Sequence, residues 1–168
     1  MNTIAYIVLA VISIVAVYTD IKGFKIRNIL TIPSALIALI ISVFYFDNPF
    51  FGFENLVVLL LIGLLGEWMK LWKAGDTKLM VATGMWLSLT NSMENLALSF
   101  LYFLTFVLLH LAIGHFYGLK KYRFSLKNYI YSILFNKNNE SYGRFRGAIT
   151  ISISLIIVIG LKFAVQVT

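Results

Sequence analysis

Asp20 and Asp76 are two of only seven acidic residues in the chain, and each stands at the edge of an apolar run. Ionisable groups near hydrocarbon are costly and usually retained for a purpose. Two carboxylates brought together in a partly dry site hold one proton between them, because both cannot easily ionise. One member then acts as a base towards a shared water. The other donates to the oxyanion that forms when that water attacks a peptide carbonyl. This is the chemistry of an aspartic peptidase, and it calls for no metal or organic cofactor. The bland alternative is that each aspartate pairs with a nearby cation, Lys22, Lys73 or Lys78, at a membrane interface. Gly75, directly ahead of Asp76, removes a side chain that would obstruct a substrate backbone or a departure from helical dihedrals, but a Gly-Asp pair alone is weak evidence, and the local context at both aspartates decides.

The elements that must position this pair are membrane helices. Of 168 residues, 60% are hydrophobic and only 12% charged, with a mean hydropathy of +0.89. An average soluble domain is roughly half apolar and a quarter charged, so a water-soluble globule is excluded and the outer surface must face lipid. Uncharged runs predict an all-α polytopic membrane protein, a single domain over 1–168. Six spans are expected, near 3–19, 29–46, 55–69, 79–93, 96–117 and 147–167. The first run lacks a basic leader and a small-residue cleavage site and reads as a retained helix. With no cysteine there is neither a disulfide framework nor a thiolate ligand, and His110 and His115, five apart, fall on different faces of one helix. No metal site is expected, and both histidines read as packing or interfacial groups.

Sorting charges by loop puts thirteen of the fourteen basic residues on one side, with Lys162 alone on the other. The positive-inside rule then places the loops near 20–28, 70–78 and 118–146 in the cytoplasm and both termini outside. The net charge of +7 thereby finds its explanation in topology and anionic lipid, and no nucleic-acid partner is expected. Within 118–146, Tyr122, Leu126, Tyr129, Ile130 and Ile133 recur at helical spacing beside Lys120, Lys121, Arg123 and Lys127. They predict an amphipathic helix lying on the inner leaflet. Asp47, Glu54 and Glu94 fall in short outer loops, and Glu140 in the Asn-rich stretch NKNNES, where solvated charges are ordinary. Glu67 ends the third span. Trp68, Trp72 and Trp86, with the aromatic cluster from Phe44 to Phe53, read as interface belts. Gly63, Gly66, Gly114 and Gly118 read as points of close helix packing. In this arrangement Asp20 and Asp76, 56 residues apart, both reach cytoplasmic helix ends at similar depth.

The segments DIKGFKIRN, from Asp20 to Asn28, and KAGDTKLMVATGMWL, from Lys73 to Leu87, resemble the two motifs of the type IV prepilin peptidases. That family places one catalytic Asp in a D-x(5)-I-P-N context after its first core span. The other stands in a G-x-G-D-x-K-L context opening its fourth. Asp20, Ile26 and Asn28 match the first motif, and Gly75, Asp76, Lys78 and Leu79 the second, with Gly84 where a further glycine is frequent. Arg27 stands where the family usually has proline, and Lys73 where the first glycine would be. Pro33, after Thr31 as a cap, is expected to organise the start of the second span instead. Lys73 would favour the ionised form of Asp76. Gly147, at the start of the sixth span, matches a glycine found there in similar short-form peptidases.

The resemblance implies an intramembrane aspartyl endopeptidase with catalytic Asp20 and Asp76, supported by Gly75, Lys78 and Asn28. The implied substrate is a prepilin-like protein with a short basic leader and a following hydrophobic helix, cut at the cytoplasmic boundary of a prokaryotic plasma membrane. The absence of the cysteine-bearing amino-terminal segment makes the chain similar to the short form, as in tight-adherence (Flp) or archaeal preflagellin peptidases, with no methyltransferase activity implied. Glu67 is a candidate contact for the leader's basic residues, with a simple pair to Lys70 as the alternative. Two other classes of function compete: a non-catalytic scaffold of a pilus or secretion assembly, and a small proton- or cation-coupled transporter using the same two aspartates.

Overall fold

A computed structural model describes residues 2–23, 25–69, 71–90, 96–135 and 146–167. Glu94, Glu140, Lys70, Lys137 and Arg144 lie outside them. The described residues form helices throughout: α1 (Asn2–Gly23), α2 (Asn28–Tyr45), α3 (Phe51–Trp68), α4 (Ala74–Ser88), α5 (Ala97–Lys121), α6 (Leu126–Phe135) and α7 (Gly147–Val167). Five of them, α1, α2, α3, α5 and α7, are long and apolar enough to cross a membrane. In lipid the backbone must satisfy its own hydrogen bonds, which is why such a greasy chain resolves into helices. The protein is an all-α polytopic membrane protein.

The fourth predicted span needs correction. The expected run of 79–93 is instead a helix of 15 residues, Ala74–Ser88, which starts earlier and stops sooner. At about 1.5 Å per residue it rises roughly 22 Å, short of the roughly 30 Å hydrocarbon core. Its role is to be surrounded. From Asp76 to Ser88 every residue except Lys78 is buried, and α1, α2, α3, α5 and α7 all pack on it. A helix apolar on all sides sits at the centre of a bundle, and α4 is that centre. Leu79, Met80, Met85 and Leu87 meet Leu59 of α3, Tyr102 and Phe106 of α5, and Ile151 and Val158 of α7 in one core. Thr83 Oγ1 and the Tyr102 hydroxyl share a hydrogen bond of 2.8 Å inside it.

Several residues depart from expectation. Trp72 and Trp86 are not belt residues: both are buried, and only Trp68 is exposed, at 80%. The Trp86 indole N–H donates to Ser34 Oγ at 2.9 Å, joining α4 to α2. Phe44, Phe50 and Phe53 are exposed as a lipid or interface face requires, whereas Phe46 and Phe51 turn inward and pack edge-on at 4.7 Å. Helix α2 starts at Asn28 with extended Arg27 as its N-cap, so Thr31 is no cap but a buried residue inside the helix. Pro33 likewise lies within α2, where its missing N–H falls on the carbonyl of Ile29. Helix α5 runs on to Lys121, so Lys120 and Lys121 belong to it, and the expected amphipathic helix is the shorter α6. The His115 ring and the Tyr129 hydroxyl, 2.6 Å apart, tie α6 to α5.

The two ends of the bundle differ in charge. At one end Arg146, leading into α7, donates to the Ile21 carbonyl at 3.1 Å, and Lys78 donates to Asn28 Oδ1 at 3.1 Å. At the other, Lys162 binds the Thr90 carbonyl, Thr90 Oγ1 at 3.2 Å and the Tyr6 hydroxyl at 3.3 Å, drawing α7, α4 and α1 together.

Candidate active site

The carboxylate of Asp76 is set by the start of α4. Lys73 is extended at the N-cap, and its backbone N–H donates to Asp76 Oδ2 at 3.2 Å, while the Asp76 N–H returns to the Lys73 carbonyl at 2.8 Å. An acidic group in a helix's first turn also complements the positive end of its dipole. Asp76 thus lies inside α4, not ahead of it. It is the main chain of Lys73 that touches the carboxylate; the lysine side chain is exposed.

Asp20 projects from the last turn of α1. The backbone N–H of Ala148, at the start of α7, donates to its Oδ2 at 3.3 Å. Asp20 is 6% exposed and Asp76 8%, so both carboxyl groups are withdrawn from bulk water. They are brought to one place. Gly147, the residue before Ala148, sits so close to Asp76 that a β-carbon there would overlap its carboxylate. Asp76 lies within electrostatic range of Asp20, Lys73 and Glu67.

The two sequence segments that carry the aspartates interlock. Ile26 is buried beneath Gly75, where an added β-carbon would make ordinary contact at 3.5 Å, and Lys78 reaches Asn28 across the α2–α4 boundary. Gly75 is helical, and no described glycine has a positive φ. Its value is therefore not conformational freedom, and the glycine that permits close approach to a carboxylate is Gly147. Glu67, in the last turn of α3, is half-buried on the side of Asp76.

A second layer of hydrogen bonds braces this end. Trp72, in the connection between α3 and α4, donates through Nε1 to Thr77 Oγ1 at 3.1 Å and to the Gly63 carbonyl at 3.2 Å. Its ring lies on Gly66, where a β-carbon would overlap it. Gly63 stands similarly against Thr77, so both glycines are points of close packing as their spacing suggests. His110 of α5 is buried, with Nε2 2.9 Å from the Leu71 carbonyl and Nδ1 3.4 Å from Thr150 Oγ1. Thr150 in turn donates to the Gly147 carbonyl at 2.7 Å. The packing histidine foreseen from spacing is therefore also a link from the loop before Asp76 to the turn of α7 that meets both aspartates. Sequence reasoning missed Ala148, Trp72 and Thr150 at this site. Only Gly147 left a signal, as a glycine opening an apolar span.

Residues 7–119 match the type IV leader peptidase family. The match covers more than half of the chain, and the protein belongs to that family. No curated protein and no solved structure matches the chain. Family membership carries a prepilin leader peptidase activity in general, the hydrolysis of a peptide bond in a prepilin-type substrate, and the apolar helices make this a membrane-embedded peptidase.

Proposed function

We propose that Asp20 and Asp76 form the catalytic pair of an intramembrane aspartyl endopeptidase, which removes a short basic leader from prepilin-like substrates at the cytoplasmic membrane boundary. The observation that carries the reading is the meeting of two buried carboxylates, from α1 and α4, against the consecutive residues Gly147 and Ala148. A pair so withdrawn from water holds one proton most readily. The ionised member takes a proton from a water placed between them, and the resulting hydroxide attacks the scissile carbonyl carbon. The protonated member donates to the carbonyl oxygen. Collapse of the tetrahedral gem-diol breaks the C–N bond, with the leaving amine taking a proton from the carboxyl that had accepted one from water and the other carboxylate regaining its proton from a gem-diol hydroxyl, so that the pair ends with one proton as it began. Every proton is supplied by water and the pair, so the reaction asks for no metal or cofactor.

Lys78 and Asn28 support the site by holding the α1–α2 connection against α4, and Gly75 packs on Ile26 beneath the first turn of α4. Glu67, beside Asp76, receives a basic residue of the leader. The basic end of the bundle faces the cytoplasm of a prokaryotic cell, with both termini outside and α6 resting on anionic lipid of the inner leaflet. The substrate's hydrophobic helix enters from the bilayer, and its leader remains on the charged side. Nucleic acid plays no part. The test is cleavage of a prepilin-type substrate by wild type, Asp20→Asn and Asp76→Asn.

A further inference from the structure

The first turn of α7 lies outside the 7–119 region of the family match, yet it touches both aspartates. Three features fix it there. Ala148 gives its N–H to Asp20 Oδ2; this donor belongs to the first turn of a helix and has no partner within the ladder, so it is available to a side chain. Gly147 brings bare α-carbon onto the Asp76 carboxylate, at a separation no side chain could share. The Gly147 carbonyl accepts the Thr150 hydroxyl at 2.7 Å, and Thr150 contacts His110, which reaches the Leu71 carbonyl five residues before Asp76. The turn is thereby braced against the same loop that leads into α4. Arg146, immediately ahead of it, is anchored on the Ile21 carbonyl, one residue after Asp20.

We propose that Gly147 is a positioning residue of the peptidase: the absence of its side chain lets one turn of backbone set the separation and orientation of both carboxylates at once. The inference rests on the reading of Asp20 and Asp76 as the catalytic pair. A methyl group at Gly147 must displace either the Asp76 carboxylate or the turn itself, and displacing the turn withdraws the Ala148 N–H from Asp20. Either way the two oxygens that share the water move apart. Displacement of reacting groups by about 1 Å costs on the order of a hundredfold in rate, with little effect on a substrate bound mainly through its helix and leader.

The test is Gly147→Ala, assayed for kcat and KM on a prepilin-type substrate in detergent or bicelles, with thermal unfolding measured alongside. Gly160→Ala, on the same helix, is the matched control, because a β-carbon at Gly160 meets nothing within 4 Å. The expected result is a fall in kcat of roughly a hundredfold and KM within about twofold, with an unfolding temperature no lower than that of Gly66→Ala, whose added β-carbon is as crowded but meets Trp72 rather than a carboxylate. Gly160→Ala keeps wild-type kinetics. Wild-type kcat in Gly147→Ala overturns the inference, and so does a loss of activity that runs in step with a loss of thermal stability. Should Gly147→Ala fail to accumulate, Ala148→Pro removes the donor to Asp20 at a first-turn position where proline is tolerated, and the same criteria decide. Asp20→Asn and Asp76→Asn separate the two levels. If these are inactive while Gly147→Ala cuts normally, the inference falls and the catalytic pair stands; if they cut normally, the pair itself falls.

Discussion

Asp20 and Asp76 meet consecutive residues of one turn: the Ala148 N–H donates to Asp20 at 3.3 Å, and the α-carbon of Gly147 lies on Asp76. Two helices far apart in sequence are thereby referred to a common third. The arrangement explains how a small bundle holds two acidic groups out of bulk water. Backbone N–H groups, from Lys73 for Asp76 and from Ala148 for Asp20, do the solvating. Such fixed dipoles are oriented before any substrate arrives and need no reorganisation during reaction.

Under the proposed function Glu67 receives a basic residue of the leader. Glu67→Gln is expected to raise KM by up to roughly fivefold, about 1 kcal/mol, with kcat nearly unchanged, since a half-solvated charge pair contributes little more. Steady-state kinetics on a substrate with a lysine-bearing leader measure this. An unchanged KM would remove Glu67 from the leader's path.

The Lys78–Asn28 hydrogen bond joins the two sequence segments that carry the aspartates. Lys78→Met and Asn28→Ala are each expected to lower kcat/KM by about threefold to tenfold, corresponding to roughly 0.5–1.5 kcal/mol for an exposed bond. The double variant is expected to be no worse than the more damaged single one, because both remove the same contact. Additive losses in that cycle would show that the two side chains act separately.

Gly66 makes room for the Trp72 ring, and the ring places its N–H on Thr77, the neighbour of Asp76. Gly66→Ala overpacks this contact and is expected to lower stability by about 1–3 kcal/mol, read as a fall in unfolding temperature. Gly23→Ala, where an added β-carbon meets nothing within 4 Å, is expected to stay within about 0.5 kcal/mol of wild type. Equal effects at the two positions would mean that Trp72 does not depend on Gly66.

The orientation in the membrane is open to direct labelling, because the chain has no cysteine of its own. Asp47→Cys is expected to react with an impermeant thiol reagent added outside cells, and Lys22→Cys only after the membrane is opened. The reverse pattern would invert the topology and move the aspartates away from the cytoplasmic boundary.

Much of this was legible in residue pattern. Period and apolar run length gave the helices, and the lopsided basic residues put Asp20 and Asp76 at one end of the bundle, where they meet. The failures have definite causes. Trp68 and Trp72 stand four apart and would share a helix face. The chain, however, leaves the helix after Trp68, and the Leu71 N–H turns back to the Gly66 carbonyl at 2.9 Å, folding Trp72 over Gly66. Helix α4 was misplaced because Lys78 reads as the charged end of a span. Instead it is the one position in Asp76–Ser88 that escapes burial, by reaching Asn28. Thr31 looked like a cap because it precedes Pro33, but extended Arg27 already opens α2, four residues after α1 ends at Gly23. The role of Gly147 and Ala148 depends on contacts across 71 residues to Asp76 and 128 residues to Asp20, which no local pattern encodes.

The proposed function has Asp20 and Asp76 together activate the water that cuts the substrate. The direct measurement is cleavage of a co-expressed prepilin-type substrate in membranes by wild type, Asp20→Asn and Asp76→Asn, each verified for normal insertion. Wild type is expected to cut, and each variant to lose roughly 10²- to 10⁴-fold in rate, the range for removing an acid–base group. Cleavage at the wild-type rate by either variant would contradict the account.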